Sequence, residues 1–163
     1  TMRWVRSNRF DKQALPLADR HYNRQKPGTP QFVAPGRNLV FLSTCKKALW
    51  VTRVQHPNIC KHAWPGAWEC SLFRNEGAGL SSELILEAIA ATRFLWGDPP
   101  PEGMITFVNR AKVKSKKNPG YCYIKAGFSP VGRTKTRALH TLHIAPELMP
   151  PAEAPIGAEL ALF

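Results

Sequence analysis

The chain has 163 residues, 44% of them hydrophobic and five of them tryptophan, enough for one domain with a packed core and too few for two comfortable ones. No apolar run approaches the roughly 20 residues of a membrane span and no apolar leader opens the chain, so one cytoplasmic domain over residues 1–163, without membrane contact, is expected. Lysines and arginines number 23 against 11 acids, a formal charge of +12 that a small-metabolite enzyme does not need and that a polyanionic partner exploits.

Met2 to Ser7 reads as a first strand and Asp11 to about Arg24 as a helix interrupted near its start by Pro16. Its end, Asp19-Arg-His-Tyr-Asn-Arg-Gln-Lys26, has two readings. It is a polar helix terminus with cations on the negative pole of the dipole, or a substrate-side cluster in which His21 or Asp19 moves a proton and arginines bind phosphate. Gln25 to Gly36 is a loop set by Pro27, Gly28, Pro30 and Pro35. Arg37–Thr44 and Ala48–Arg53 form a hairpin closed near Cys45-Lys46-Lys47.

A second loop, His56 to Gly66, carries Trp64, with Trp68 just beyond; such aromatics stack on bases or close the core. Strand alternation over Ala67 to Arg74 groups Glu69, Ser71 and Phe73 on one face and Trp68, Cys70 and Leu72 on the other. Then come Arg74-Asn-Glu-Gly-Ala-Gly79 and Leu80-Ser81-Ser82, whose serines are candidate N-caps. From Leu84 to Trp96 apolar residues recur at helical spacing. A strand, glycine turn and helix start in this order can hold a phosphate on backbone amides. The spacing matches neither the Rossmann nor the Walker pattern.

Gly97 to Gly103 is a rigid connection, Met104 to Asn109 a strand, and Arg110 to Lys117 a strongly basic loop. A short helix presents Tyr121 to Ala126; Phe128–Arg133 and Ala138–Ile144 pair as the last strands. The Pro- and Ala-rich extension over residues 146–163 is either docked or partly mobile. Cys45, Cys60, Cys70 and Cys122 form no Cys-x-x-Cys, so reduced, mostly buried thiols are expected. His56, Cys60 and His62, like His140 and His143, lack zinc spacing, and no metal site is assigned.

Two motifs carry a family resemblance. Arg74-x-x-Gly77-x-Gly79 resembles the pyrophosphate loop of the GNAT N-acetyltransferases, and Tyr123-Ile-Lys-Ala-Gly-Phe128 resembles that family's second signature, in the family's order and separation. The resemblance implies an α/β (α+β) fold with a mixed, mostly antiparallel central sheet, two splayed strands and helices on both faces. It implies that Phe73, Arg74, Gly77, Gly79, Leu80, Ser81 and Ser82 bind acetyl-CoA or a related acyl-CoA. Tyr123 then lies near the sulfur and protonates the departing thiolate, unless it is a core ring. Glu69 is a candidate base, against a solvated or lysine-paired carboxylate. Glu83, in the first helical turn, would repel a diphosphate unless it points outward.

Arg20-His21-Tyr22-x-Arg24 followed by a Pro-Gly loop, on a basic acetyltransferase-like chain, resembles the Mom proteins of bacteriophages, which add a carbamoylmethyl group to adenine N6 in DNA and protect it from restriction. That resemblance implies that His21, Tyr22, Tyr123 and Glu69 face the base. Arg20, Arg24, Lys26, Arg110, Lys112, Lys114, Lys116 and Lys117 then hold the phosphates of double-stranded DNA. Two rivals stand beside it: a conventional N-acetyltransferase of small amines, protein amines or modified bases, and a non-catalytic nucleic-acid-binding protein on the same scaffold. Which of His21, Asp19 and Glu69 is the base stays open, as do the source of the transferred group, a need for metal and the oligomeric state.

Overall fold

A computed structural model describes residues 1–21, 27–34, 36–55, 58, 60, 62–109, 120–135 and 138–158. Among them, strands β1 (Trp4–Arg6), β2 (Arg37–Ser43), β3 (Ala48–Val54), β4 (Trp68–Asn75), β5 (Met104–Val108), β6 (Ser129–Arg133) and β7 (His140–Ile144) form one seven-stranded sheet in the order β1-β2-β3-β4-β5-β7-β6. The helices are α1 (Leu15–Asp19), α2 (Ser81–Trp96) and α3 (Tyr121–Lys125). The sheet is mixed and mostly antiparallel, as expected, with β4 and β5 as its parallel neighbours among the described residues.

Alternation along β2 and β3 builds two cores. Leu39, Phe41, Ala48 and Trp50 pack with Leu84, Ile85, Ala88 and Ile89 of α2 and with Tyr123 of α3. Val40, Leu42, Leu49 and Val51, the intervening residues, pack with Leu17 and Ala18 of α1 and with Phe32 and Val33. Buried polar groups in the first core are satisfied: Trp50 Nε1 donates to Thr52 Oγ1 (2.6 Å), Thr52 and Thr92 hydroxyls lie 3.1 Å apart, and Thr92 also donates to Ala88 O (2.8 Å).

Three expectations need correction. Helix α1 is short, beginning at Leu15 with Pro16 in its first turn and ending at Asp19, because proline suits a helix start better than its interior. The Asp11 carboxylate instead serves a preceding turn, accepting from Ser7 Oγ (2.6 Å) and Gln13 N (2.8 Å). Ser81 and Ser82 are not N-caps: they lie inside the first turn of α2, and the N-cap position is Leu80, without a side-chain bond.

The third correction matters most for the site. Along β4, Thr52 pairs with Cys70 and Val51 with Leu72, so Ser71 is an extra residue in a β-bulge. The bulge swaps faces, and simple alternation fails across it. Trp68, Cys70 and Phe73 therefore belong with the α2 side, while Leu72 joins the α1 side and Glu69 pairs there with Arg53.

The proline-rich tail is docked as far as it is described. Met149 is buried, Arg93 Nη1 donates to Pro150 O (3.0 Å), Glu153 N donates to Ala90 O (3.1 Å), and Ile156 bridges Val5. All four cysteines are free; Cys70 is buried and Cys45 is exposed, the latter against expectation because it sits in the β2–β3 turn. No described helix is long and apolar enough to cross a membrane.

Candidate functional site

The parallel ladder between β4 and β5 covers Trp68–Met104, Glu69–Ile105 and Cys70–Thr106. There it stops, although β4 runs on to Asn75 and β5 to Val108. At that point Thr106 Oγ1 donates to Cys70 O (3.0 Å), and the Tyr123 hydroxyl lies 3.6 Å from Cys70 Sγ. The Tyr123 ring meets Phe73 edge to face at 6.2 Å and Phe128 at 5.3 Å. Gly120, at the N-cap of α3 with φ 75°, permits this close approach, since a Cβ there would strike the Leu142 side chain. Burial raises both the Cys70 thiol, to about 12, and the Tyr123 phenol, so both keep their protons at neutral pH.

Phe73 leads directly into the glycine turn. Asn75 organises that turn from within: its Oδ1 accepts from Gly77 N (3.1 Å) and Ala78 N (2.9 Å), while its Nδ2 donates to Gly79 O (2.8 Å) and Ser81 Oγ (2.9 Å). Two of the turn amides are thereby engaged. Those of the first turn of α2 have no side-chain cap, and the exposed Leu80 marks that end as open. Gly79 carries φ 147°, and a Cβ on it would collide with the Arg3 guanidinium. Arg3 in turn binds Glu87 and, at 3.2 Å, Glu83. The acid in the first turn of α2 is thus offset by a cation.

Arg20 and Arg74 converge on Glu76. Arg20 grips it in a two-point fork (Nε–Oε2 2.7 Å, Nη2–Oε1 2.8 Å), Arg74 Nε bonds Oε2, and Arg74 Nη1 donates to the Arg20 carbonyl (2.9 Å). This clasp ties the end of α1 to the start of the glycine turn. The Arg20 hydrogen bond, with Arg74 behind it, holds the Glu76 carboxyl from an ordinary 4.5 down to about 2. A lowered folded-state value stabilises the clasp above the ordinary carboxylate range, and that contribution is lost as pH falls through about 2. In a side-chain carboxyl NMR titration Glu76 is expected to titrate near 2 in the native protein and closer to 4.5 in Arg20→Ala; an unmoved midpoint would mean that Arg20 does not hold it.

Glu69 occupies the other face. Buried on β4, it is held by Arg53 of β3 (Nε–Oε1 3.2 Å, Nη2–Oε2 3.3 Å), with His62 Nε2 3.9 Å away. His62 is committed locally: its Nδ1 accepts from Trp64 N (3.0 Å), its ring meets Phe107, and burial lowers its basicity. Trp64 stacks on His143 at 4.7 Å. Trp68 is a core residue, edge to face with Trp96.

The sequence-predicted residues therefore fall into three groups. Phe73, which leads into the glycine turn, and Tyr123 come together beside the end of the β4–β5 ladder. Arg20 and Arg74 come together on Glu76, with His21 next to Arg20. Glu69 stands apart on the α1 side, and the strand rise puts it roughly 16 Å along β4 from Arg74. Tyr22, Arg24, Lys26, Arg110, Lys112, Lys114, Lys116 and Lys117 lie outside the described residues. Asn75, Arg53 and Thr106 escaped the sequence reading; an Asn before a glycine turn was the one visible signal, since Asn side chains bond nearby amides. Among the described residues no group of three or more His, Cys, Asp or Glu could hold a metal. Comparison with protein-family models, with curated proteins and with solved structures finds no match to the chain.

Proposed function

We propose that the protein is a transferase of the GNAT type acting on DNA, in the manner of Mom proteins, modifying adenine N6 with a carbamoylmethyl-type group. In this reading α1 covers one face of the sheet and α2 and α3 the other, and a coenzyme A thioester lies where β4 and β5 part. The observation that supports it is the contact between Phe73, just ahead of the glycine turn, and Tyr123.

The residues present fit such a donor in part. Uncapped amides at the start of α2 can donate to a phosphate, with Arg3 against Gly79, whereas Gly77 N and Ala78 N are engaged by Asn75. A thioester would supply an acyl carbon and a thiol leaving group, so transfer from it alone leaves an N6-acyl adenine, and the CH2-linked carbamoylmethyl group has another source. Tyr123, held protonated by burial, donates a proton at its hydroxyl, and Cys70 keeps that hydroxyl oriented.

Adenine N6 is a weak nucleophile, stacked and paired in a duplex, so the base must be extruded and held. The Arg20-His21 segment stands on the acceptor side, and a net charge of +12 draws the duplex in. His21 is the favoured base, because Glu69 is held in an ion pair by Arg53. Digestion of DNA from cells producing the protein, followed by nucleoside mass spectrometry, is expected to show a heavier deoxyadenosine; unmodified deoxyadenosine from soluble protein would refute the reading.

One observation favours a second reading. The Tyr123 hydroxyl is enclosed against Cys70 and Glu69 is neutralised, as in an inert core, which suits a non-catalytic DNA-binding protein on this scaffold. That protein would bind duplex DNA with strong salt dependence and show no affinity for coenzyme A.

A further inference from the structure

We propose that Arg20 and Arg74 form a receptor for one phosphate group, and that Glu76 occupies it as an internal stand-in until a phosphate-bearing ligand displaces it. The inference rests on the reading above that this rim meets such a ligand, and it adds how the rim is kept closed beforehand.

The geometry carries it. A guanidinium meets carboxylate and phosphate through the same planar two-point fork, and Arg20 presents that fork to Glu76 at 2.7 and 2.8 Å. Arg74 supplies a second guanidinium to the same oxygen, and its bond to the Arg20 backbone carbonyl anchors it at the end of α1 whatever occupies the fork. The occupant is the movable part. Glu76 is anchored through its backbone N to Lys47 O (2.7 Å), so its side chain can swing out while the turn stays in place.

The site is also reachable. The side chains of Arg20, Arg74 and Glu76 are 51%, 33% and 28% exposed, so an incoming anion needs no unfolding to meet them. Asp19, the other acid beside Arg20, accepts from Gly28 N at 3.1 Å. A phosphate brings more acceptor oxygens than a carboxylate, and an exposed ion pair is weak enough to be exchanged. Exchange would unfasten Glu76, whose side chain bonds both Arg20 at the end of α1 and Arg74 at the mouth of the glycine turn.

The shared chemistry is a phosphate, from the diphosphate of a nucleotide-like donor or from a nucleic-acid backbone. The test measures equilibrium binding of the whole protein to inorganic pyrophosphate by calorimetry and to a fluorescent duplex by anisotropy, at one fixed salt concentration. Glu76→Gln is expected to tighten at least one of them by about three- to fivefold. Glu147→Gln, which removes the same charge at an exposed site elsewhere, is not, and adding Arg74→Ala to Glu76→Gln is expected to abolish the gain. A gain with pyrophosphate alone assigns the receptor to the donor, and a gain with the duplex alone assigns it to nucleic acid. Equal behaviour of Glu76→Gln and Glu147→Gln, or weaker binding of both probes, overturns the proposal; Glu76→Ala repeats the test should the glutamine variant fold poorly. Because no turnover is read, a failure here is distinct from a failure to find modified adenine.

Discussion

Arg53→Ala is expected to destabilise the protein by about 3 kcal/mol, the lower end of what stranding a buried charge costs, because the arginine itself is partly exposed. The Glu69 side chain is 6% exposed and receives two hydrogen bonds from Arg53. With the guanidinium gone, the remaining ion-pair neighbour among the described residues is His62 at 3.9 Å, whose basicity burial lowers and whose Nδ1 is occupied by an amide. The carboxylate must then be buried unpaired or take a proton.

Replacing both partners, as Arg53→Met with Glu69→Leu, removes the charge with its counterion and is expected to recover most of the loss. Urea unfolding of the single and double variants measures both. A change below about 0.5 kcal/mol in Arg53→Ala would show that Glu69 does not depend on the arginine and would restore it as a free base.

Tyr123→Phe is expected to lower adenine modification by about 10²-fold while changing stability by no more than about 1 kcal/mol. The ring packing against Phe73 and Phe128 survives the substitution; what disappears is one hydroxyl beside Cys70. A structural ring and a proton donor therefore predict different outcomes. Nucleoside mass spectrometry on DNA from cells carrying equal amounts of soluble variant separates them, and undiminished modification would make Tyr123 a core residue only.

Much of this architecture was legible because local pattern and tertiary role agree. The hairpin of β2 and β3 reads from alternating large apolar residues, and the body of α2 from its helical repeat, both of which describe surfaces that end up buried. The Phe73–Tyr123 meeting was foreseeable as two motifs, though not as a contact. Ser71 is the clearest failure. A bulge is decided by which residues of β3 and β4 pair, and nothing local at Ser71 marks it, so simple alternation puts Glu69 and Phe73 on one face when they occupy two.

The clasp was equally invisible. Arg20 and Glu76 are separated by 56 positions and meet only because α1 packs across β3 and β4. The late start of α1 was readable in principle from Pro16, which suits a first turn.

The claim beneath all of this is that the gap beyond the Cys70–Thr106 pair receives a coenzyme A thioester. Backbone amide NMR during titration with acetyl-CoA tests it most directly. The expected result is saturable shifts concentrated on Phe73 to Ser82 and on Tyr123. Shifts confined to other surfaces, or none at millimolar ligand, would contradict it.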